Sequence, residues 1–205
     1  MASRLPGPRL SERPWQTVAL AMRGSSGWVA AAARRDRVAA ASLPRPTPEE
    51  AIAGLGVSVD VRLARGLPNL SEGMDCADAE IAIGAALSAT VLLLVVPELV
   101  LYLSGERVSF RRHRVDLTGV PPFLVRCLLA ARRIRYGQVR SYGWLAAAAG
   151  NPRAARAAGQ AMARNPLPII IPCHRIVAAD GSPGGFGGGL EMKRALLELE
   201  GVRLP

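Results

Sequence analysis

Seventeen consecutive uncharged residues, Ile81 to Pro97, including Val91-Leu92-Leu93-Leu94-Val95-Val96, restrict the possible folds of this chain more than any other stretch. Apolar character resumes after Glu98 in Leu99-Val100-Leu101-Tyr102-Leu103. Such a run must leave water, either in a bilayer or in a protein core. Ser88, Thr90, the breaker Pro97, the charge at Glu98 and the acidic flank Asp75, Asp78 and Glu80 all argue against a span over residues 81–103. The expectation is a buried core helix or a helix-strand pair, and no membrane.

The remainder of the first half reads as a small α/β unit. Residues 1–14, with Pro6, Pro8 and Pro14, form a loose terminus. Trp28–Ala33 and Arg37–Leu43 flank Arg34-Arg35-Asp36 and suggest a hairpin despite their alanines. Thr47, Pro48, Glu49 and Glu50 spell a helix start: a capping hydroxyl, proline in the first turn, then carboxylates near the positive end. Val57-Ser58-Val59-Asp60-Val61-Arg62-Leu63 alternates with period two, as a strand does. The expected division is a domain over 15–103, a linker over 104–122 ending in Gly119-Val120-Pro121-Pro122, and a second domain over 123–205.

Charge separates the halves. Residues 119–205 carry 12 Lys+Arg against 4 Asp+Glu, and residues 1–118 carry 14 against 12, so most of the net +10 lies in the second half. That asymmetry points to a polyanion bound by the C-terminal part. Cys76, Cys127 and Cys173 are odd in number and widely spaced, which disfavours a disulfide framework or a metal site. No secretory signal is apparent, and the expected location is the reducing cytoplasm.

In the second half, Phe123 to Ile134 places Leu124, Cys127, Leu128 and Ala131 on one helical face, so Cys127 is expected in the core. Ser141 is a plausible cap for a helix over Tyr142–Ala149 that stops at Gly150. Asn151-Pro152 would then restart the chain as cap and first-turn proline of a second helix of about three turns, ending before Asn165-Pro166. The pair forms a helix-turn-helix. Ala154, Ala155, Ala157 and Gly159 permit close approach to a groove, while Arg153 and Arg156 project from it. Few base-reading side chains accompany them, which favours sequence-independent docking in the minor groove.

The chemistry-bearing run is Ile169-Ile170-Ile171-Pro172-Cys173-His174-Arg175-Ile176-Val177. A cysteine beside a histidine can become a thiolate nucleophile, because a neighbouring base or cation favours the ionised sulfur. Taken alone, the pair is more ordinarily a buried thiol and a satisfied imidazole. Its context changes that reading. Tyr136-Gly137-Gln138-Val139-Arg140-Ser141-Tyr142, Leu145 to Ala157, Met162-Ala163-Arg164-Asn165-Pro166, Pro172-Cys173-His174-Arg175, and Gly188-Gly189-Leu190 with Lys193 and Leu196 to Gly201 follow one another in order. Over Ile134–Gly201, about a third of the chain, the sequence thereby resembles the O6-alkylguanine-DNA alkyltransferase family, the methylated-DNA-protein-cysteine methyltransferases.

The resemblance implies a ribonuclease H-like α/β N-terminal domain and a mainly helical, winged-helix-like C-terminal domain. It implies a monomer without cofactor or metal, acting on double-stranded DNA that contains O6-alkylguanine. The target base would rotate out of the stack, with Arg156 filling its place and Tyr142 pressing the adjacent phosphate and donating to guanine N3. Cys173 would accept the alkyl group once and irreversibly. Glu200 would orient His174, which acts on the thiol through a water, and Asn165 would brace the Cys173 turn. Pro168, Met162, Ile176, Phe186 and Gly187 would form the pocket, the carbonyls of Cys173 and Ile176 accepting the guanine amine. Many relatives carry tyrosine and serine where this chain has Phe186 and Gly187, so leaving-group stabilisation would rest on the Gly187 amide and the aromatic stack. The alternative is a lesion-recognising or regulatory DNA-binding protein with weak or no transfer. A thiol hydrolase fits the neighbourhood less well.

Overall fold

The computed structural model describes residues 18–56 and 76–205, with side chains over 19–56 and 87–205. The expected loose terminus over 1–14, the expected strand Val57–Leu63 and the side chain of Cys76 lie outside these.

Three antiparallel strands, β1 (Val18–Gly24), β2 (Gly27–Arg34) and β3 (Arg37–Ala41), form a sheet in chain order. The hairpin read from the sequence is β2–β3, turning through Arg35 at φ 56°. Strand β1 carried no readable signal, since Val18-Ala19-Leu20-Ala21-Met22 suits a helix equally well. The alanines of β2 explain themselves by alternation. Ala30 and Ala32 pack with Ala51 and Leu55 on one face, while Val29, Ala31 and Ala33 join the main core on the other. Small side chains let a helix close on each face.

One of those helices is α1 (Pro48–Ala53), whose N-terminus is capped as expected: the Thr47 hydroxyl accepts from the Glu50 amide at 3.2 Å. The other is α2 (Cys76–Leu103), 28 residues with Pro97 inside. The long apolar run is therefore one helix, and the helix-strand alternative is excluded. Ser88, Leu92, Val95, Val96, Leu99 and Tyr102 are buried at helical spacing, whereas Leu87, Leu93, Leu94 and Leu101 are exposed. Among the described residues, no helix is long and apolar enough to cross a membrane. Glu98 is buried near the C-terminal end of α2, paired with Arg112 and with His113 at 2.7 Å.

Residues 104–122 run along β3. The Val38 amide donates to the Arg114 carbonyl at 2.9 Å, the Asp116 amide to the Val38 carbonyl at 2.8 Å, and Arg34 pairs with Asp116 at 3.2 Å. Beyond them lie α3 (Pro122–Ala131), β4 (Arg140–Ser141), α4 (Tyr142–Ala148), α5 (Ala155–Ala163), β5 (Ile176–Val177) and α6 (Leu190–Leu199). Cys127 is buried in α3 as expected. One hydrophobic cluster joins the halves, including Val29, Leu99 and Tyr102 from the first and Leu128, Leu145, Ile171 and Leu196 from the second.

The Ser141 cap is present, its hydroxyl accepting from the Trp144 amide at 3.1 Å, and Gly150 stops the helix at φ 83°. Asn151-Pro152 does not start α5, contrary to the sequence reading. The Ala154 amide donates to the Asn151 carbonyl at 3.0 Å, so Asn-Pro-Arg-Ala closes a four-residue turn with proline in its favoured second place. The helix begins at Ala155, with Ala154 as a cap that offers no side chain. Arg153 sits in the turn.

Candidate active site

The cysteine is held by two tight turns in succession. The Ile170 amide donates to the Pro168 carbonyl at 2.9 Å around Ile169, a β-branched residue at φ 71°. The Cys173 amide then donates to the Ile171 carbonyl at 2.8 Å around Pro172, at φ −79° and ψ 68°. These are three-residue turns of opposite hand, and the left-handed one is costly for isoleucine. Burial of the three isoleucines and an amide brace hold it. Asn165 donates from Nδ2 to the Ile171 carbonyl at 2.8 Å and to Cys173 Sγ at 3.1 Å, while its Oδ1 accepts from the Leu167 amide at 3.0 Å.

Cys173, His174 and Arg175 form a short 3-10 turn, with β5 following directly. β5 pairs in parallel with β4, which leads into α4, so the backbone around the cysteine and the helix carrying Tyr142 share one ladder. His174 is fully buried, and its Nε2 lies 2.9 Å from Glu200 Oε1. Arg175 clamps the same carboxylate, Nε at 2.9 Å and Nη2 at 2.7 Å, and donates Nη1 to the Ile134 carbonyl at 2.7 Å. The Gly137 amide adds a bond at 3.2 Å and the Tyr102 hydroxyl one at 2.6 Å. Burial opposes ionisation of Glu200, but the bonds from His174 and Arg175 outweigh it and hold the carboxyl down at about 2. An ionised carboxylate only accepts, so Nε2 carries the proton. His174 Nδ1 is then a bare nitrogen, buried with no hydrogen-bond partner among the described residues.

Burial pushes the Cys173 thiol up, against the Asn165 bond and the Lys193 charge, and pushes the His174 imidazole down against the pull of Glu200. The resting pair is therefore thiol and neutral imidazole, which leaves His174 able to take the thiol proton. Desolvation favours the uncharged form of each group. Lys193 is fully buried, donating to the carbonyls of Ile176 and Pro183, and its ammonium is brought down to about 8 by burial.

A cavity of about 540 Å³ is lined by Tyr142, Ala155, Arg156, Gly159, Ala163, Gly185, Phe186 and Gly187, and Cys173 is not part of its wall. The Tyr142 hydroxyl donates to the Gly185 carbonyl at 3.1 Å, and a Cβ on Gly184 would come within 2.8 Å of the Tyr142 ring. Glycine at 184 therefore lets the loop lie on the tyrosine. Along α5, Ala158, Ala161 and Met162 are buried, while Arg156 and Gln160 are exposed, with Arg153 exposed just before the helix.

Residues 122–202 match the family model described as 6-O-methylguanine DNA methyltransferase, DNA binding domain. The methylated-DNA--protein-cysteine methyltransferase of Mycobacterium bovis is 47% identical over 110 residues, 54% of this chain and 66% of that one. The human protein of the same name is 56% identical over 71 residues, 35% of this chain and 34% of that one. The crystal structure of the M. tuberculosis O6-methylguanine methyltransferase R37L variant is 30% identical with a TM-score of 0.60, and the match covers 93% of this chain and 96% of that one. This chain belongs to the O6-methylguanine DNA methyltransferase family. M. tuberculosis OGT in complex with DNA is 28% identical over 89% of this chain and 91% of that one, with a TM-score of 0.61. The aligned stretch spans about two thirds of the mycobacterial relatives' length, 66% in the M. bovis protein.

In this methyltransferase-family chain, the residues expected at the site fall into two groups. Asn165 bonds Cys173, and Glu200 bonds His174, the next residue in the chain after the cysteine. Tyr142, Ala155, Arg156, Gly159, Phe186 and Gly187 line the cavity. Met162 and Ile176 are buried, Pro168 is half-buried, and none of the three lines it. The Ile176 carbonyl accepts from Lys193. Ala154, the cap of α5, and Ala157 within it are half-buried. Gly159 faces Tyr142, where a Cβ would lie at 3.5 Å from the ring.

Sequence reasoning did not single out Tyr102 or Arg175, although they complete the carboxylate site. Arg175 was visible inside the cysteine motif but had no partner in the linear chain. Tyr102 looked like one more apolar residue in the long run. Its position four residues after Glu98 was the available signal, because polar groups at that spacing share a helix face.

Proposed function

We propose that this chain reverses O6-alkylguanine lesions in double-stranded DNA, transferring the alkyl group once and irreversibly to Cys173 without a cofactor. The observation that supports this best is the buried set Cys173, Asn165, His174 and Glu200, in a domain that also holds a cavity walled by Tyr142, Arg156 and Phe186. The sulfur attacks the alkyl carbon, an S–C bond forms and the C–O6 bond breaks. The electron pair stays on guanine O6. The thiol proton passes through a water to His174 Nδ1 and is returned to the leaving base, so alkylated guanine plus thiol becomes guanine plus thioether. Holding the proton on Nε2 is the task of Glu200. With thiol and imidazole both neutral at rest, the charge pair appears only when the electrophile is in place, which keeps an unused nucleophile from reacting elsewhere.

The lesion must leave the stack to reach a buried sulfur. Exposed Arg156 is suited to occupy the vacated space. Tyr142 would give up its bond to Gly185 for guanine N3 and the neighbouring phosphate. Phe186 stacks on the base and the Gly187 amide donates to O6, while the carbonyls of Cys173 and Ile176 take the exocyclic amine. Ala154, Ala155, Ala157 and Gly159, with Arg153 beside them, would meet the minor groove. We read residues 123–205 as the winged-helix-like domain with α4 and α5 as its helix-turn-helix, 15–103 as ribonuclease H-like, 104–122 as the connection, and the protein as a cytoplasmic monomer.

The test is intact mass after incubation with a duplex containing O6-methylguanine. One methyl per chain, mapped to Cys173, is the expected result. Binding to the duplex without any mass gain would favour the lesion-recognising alternative, and a methyl on Cys127 would overturn the site.

A further inference from the structure

The transfer site as read so far is assembled from the C-terminal half, yet one group in contact with its base comes from the other half. Tyr102, in the last turn of α2, is fully buried, with its hydroxyl 2.6 Å from Glu200 Oε1 and 3.2 Å from His174 Nε2. The carboxylate only accepts, so the phenol hydrogen is committed to it and the phenol oxygen faces Nε2 as an acceptor. Nε2 therefore meets two acceptors and no donor. Its deprotonated form would place a lone pair against both, so the imidazole is held with Nε2–H and a bare Nδ1.

We propose that Tyr102 is a positioning residue of the alkyl-transfer site: its hydroxyl, shared between Glu200 and His174, holds the pair in register and reinforces the tautomer set by Glu200, which leaves Nδ1 free to take the thiol proton. The inference rests on the transfer reading above and explains what the N-terminal half contributes to it. The phenol has a second effect. By donating to Glu200 it draws off carboxylate charge that would otherwise be directed at the imidazolium. Burial and the Glu200 charge push the Tyr102 hydroxyl far up, so it remains a donor throughout the working pH range. The other titratable groups around the imidazole are Arg175 on the same carboxylate, Lys193, and Cys173 next in the chain.

The geometry makes the ring a poor candidate for a purely structural role. Tyr102 packs edge-on against Phe110 at 5.9 Å and Tyr136 at 6.2 Å, contacts that phenylalanine would keep. Tyr136 supplies a matched comparison, because it feels the Glu200 charge as Tyr102 does but its hydroxyl donates to the Leu199 carbonyl, at 2.8 Å, in place of the carboxylate.

The test uses full-length protein and single-turnover methyl transfer from an O6-methylguanine duplex, followed by intact mass between pH 5.5 and 9. Tyr102→Phe should slow transfer about tenfold at pH 7, the size expected for a lost charge-assisted hydrogen bond. The acid limb of its profile should move up by about half a pH unit, since an unshared Glu200 holds the imidazolium more tightly. Tyr136→Phe should keep the wild-type profile. 3-Fluorotyrosine placed at 102, a stronger donor, should move the acid limb down and serves if Tyr102→Phe does not fold. A Tyr102→Phe profile superimposable on wild type, an equal displacement in Tyr136→Phe, or no displacement with 3-fluorotyrosine would overturn the assignment. Absence of transfer in the wild type would instead overturn the functional reading on which it rests.

Discussion

The chain has two histidines, and both sit against a buried glutamate: His113 at 2.7 Å from Glu98, and His174 at 2.9 Å from Glu200. Each glutamate also pairs with the arginine immediately beside its histidine, Arg112 or Arg175. Helix α2 serves both places, with Glu98 at one and Tyr102 at the other. The pairs differ in their surroundings. Arg112 is 65% exposed and Arg175 only 9%, and His113 follows a surface arginine where His174 follows a nucleophile. The comparison teaches that a His-Glu couple is chemically neutral by itself. At 98/113 it satisfies a buried charge inside the last two turns of α2 by tying it to residues 112 and 113. At 174/200 the same couple is further desolvated and placed beside a thiol, the surroundings that the proposed transfer reaction needs for a proton acceptor.

The most direct way to break this comparison is to remove the thiol. Cys173→Ala should abolish methyl acceptance completely while duplex affinity stays within a few-fold of wild type, as gel-shift titration can measure. Alkylation persisting at a second cysteine would mean that the 174/200 couple is no more special than its counterpart.

Next in size is the exchange of each carboxylate for an amide. Glu200→Gln should cost at least a hundredfold in single-turnover rate and about 3–5 kcal/mol in urea unfolding, because Arg175 is left buried and unpaired. Glu98→Gln should cost stability as well but leave the rate of the folded fraction within about threefold. Comparable rate losses in both variants would erase the distinction.

Acid should discriminate between them through linkage. Glu200 titrates at about 2 in the folded chain against an ordinary 4.5, so its stabilisation is complete above about 4.5 and is lost as pH falls towards 2. The stability gap between wild type and Glu200→Gln should therefore narrow over that window, by on the order of 3 kcal/mol. A gap constant from pH 7 to pH 2.5 would place the cost in packing and not in charge.

The smallest effect sharpens the other pair. Arg112→Ala should change thermal stability by no more than about 1 kcal/mol, since an exposed guanidinium is screened by solvent. A larger loss would show the 98/113 couple to be as demanding as the active-site one.

Legibility in the sequence followed the range of the interactions. The caps at Thr47 and Ser141, the β2–β3 turn and the stop at Gly150 are contacts within four residues, and each was readable. Asn151-Pro152 illustrates the limit even there, because the same two residues suit a helix start or a tight turn. What decided was the Ala154 amide closing back on Asn151. Strand β1 and the two-residue ladder β4–β5 had too little pattern to be seen. The cysteine, its histidine, the bracing asparagine and the glutamate could be named because their motifs stand in a fixed order.

By itself, then, the sequence determined many of the local elements, the basic second half and the candidates for the reacting groups, since these depend on residue type and short spacing. Tertiary structure decided the protonation states, because desolvation at Cys173 and His174 arises only when distant segments close over them. It also decided that the long apolar run is a core helix ending beside the active site. Glu200 lies 26 residues from His174, and Tyr102 lies 98 from Glu200. No local rule connects groups that far apart; only the packing of α2 against the C-terminal half brings their hydrogen bonds together.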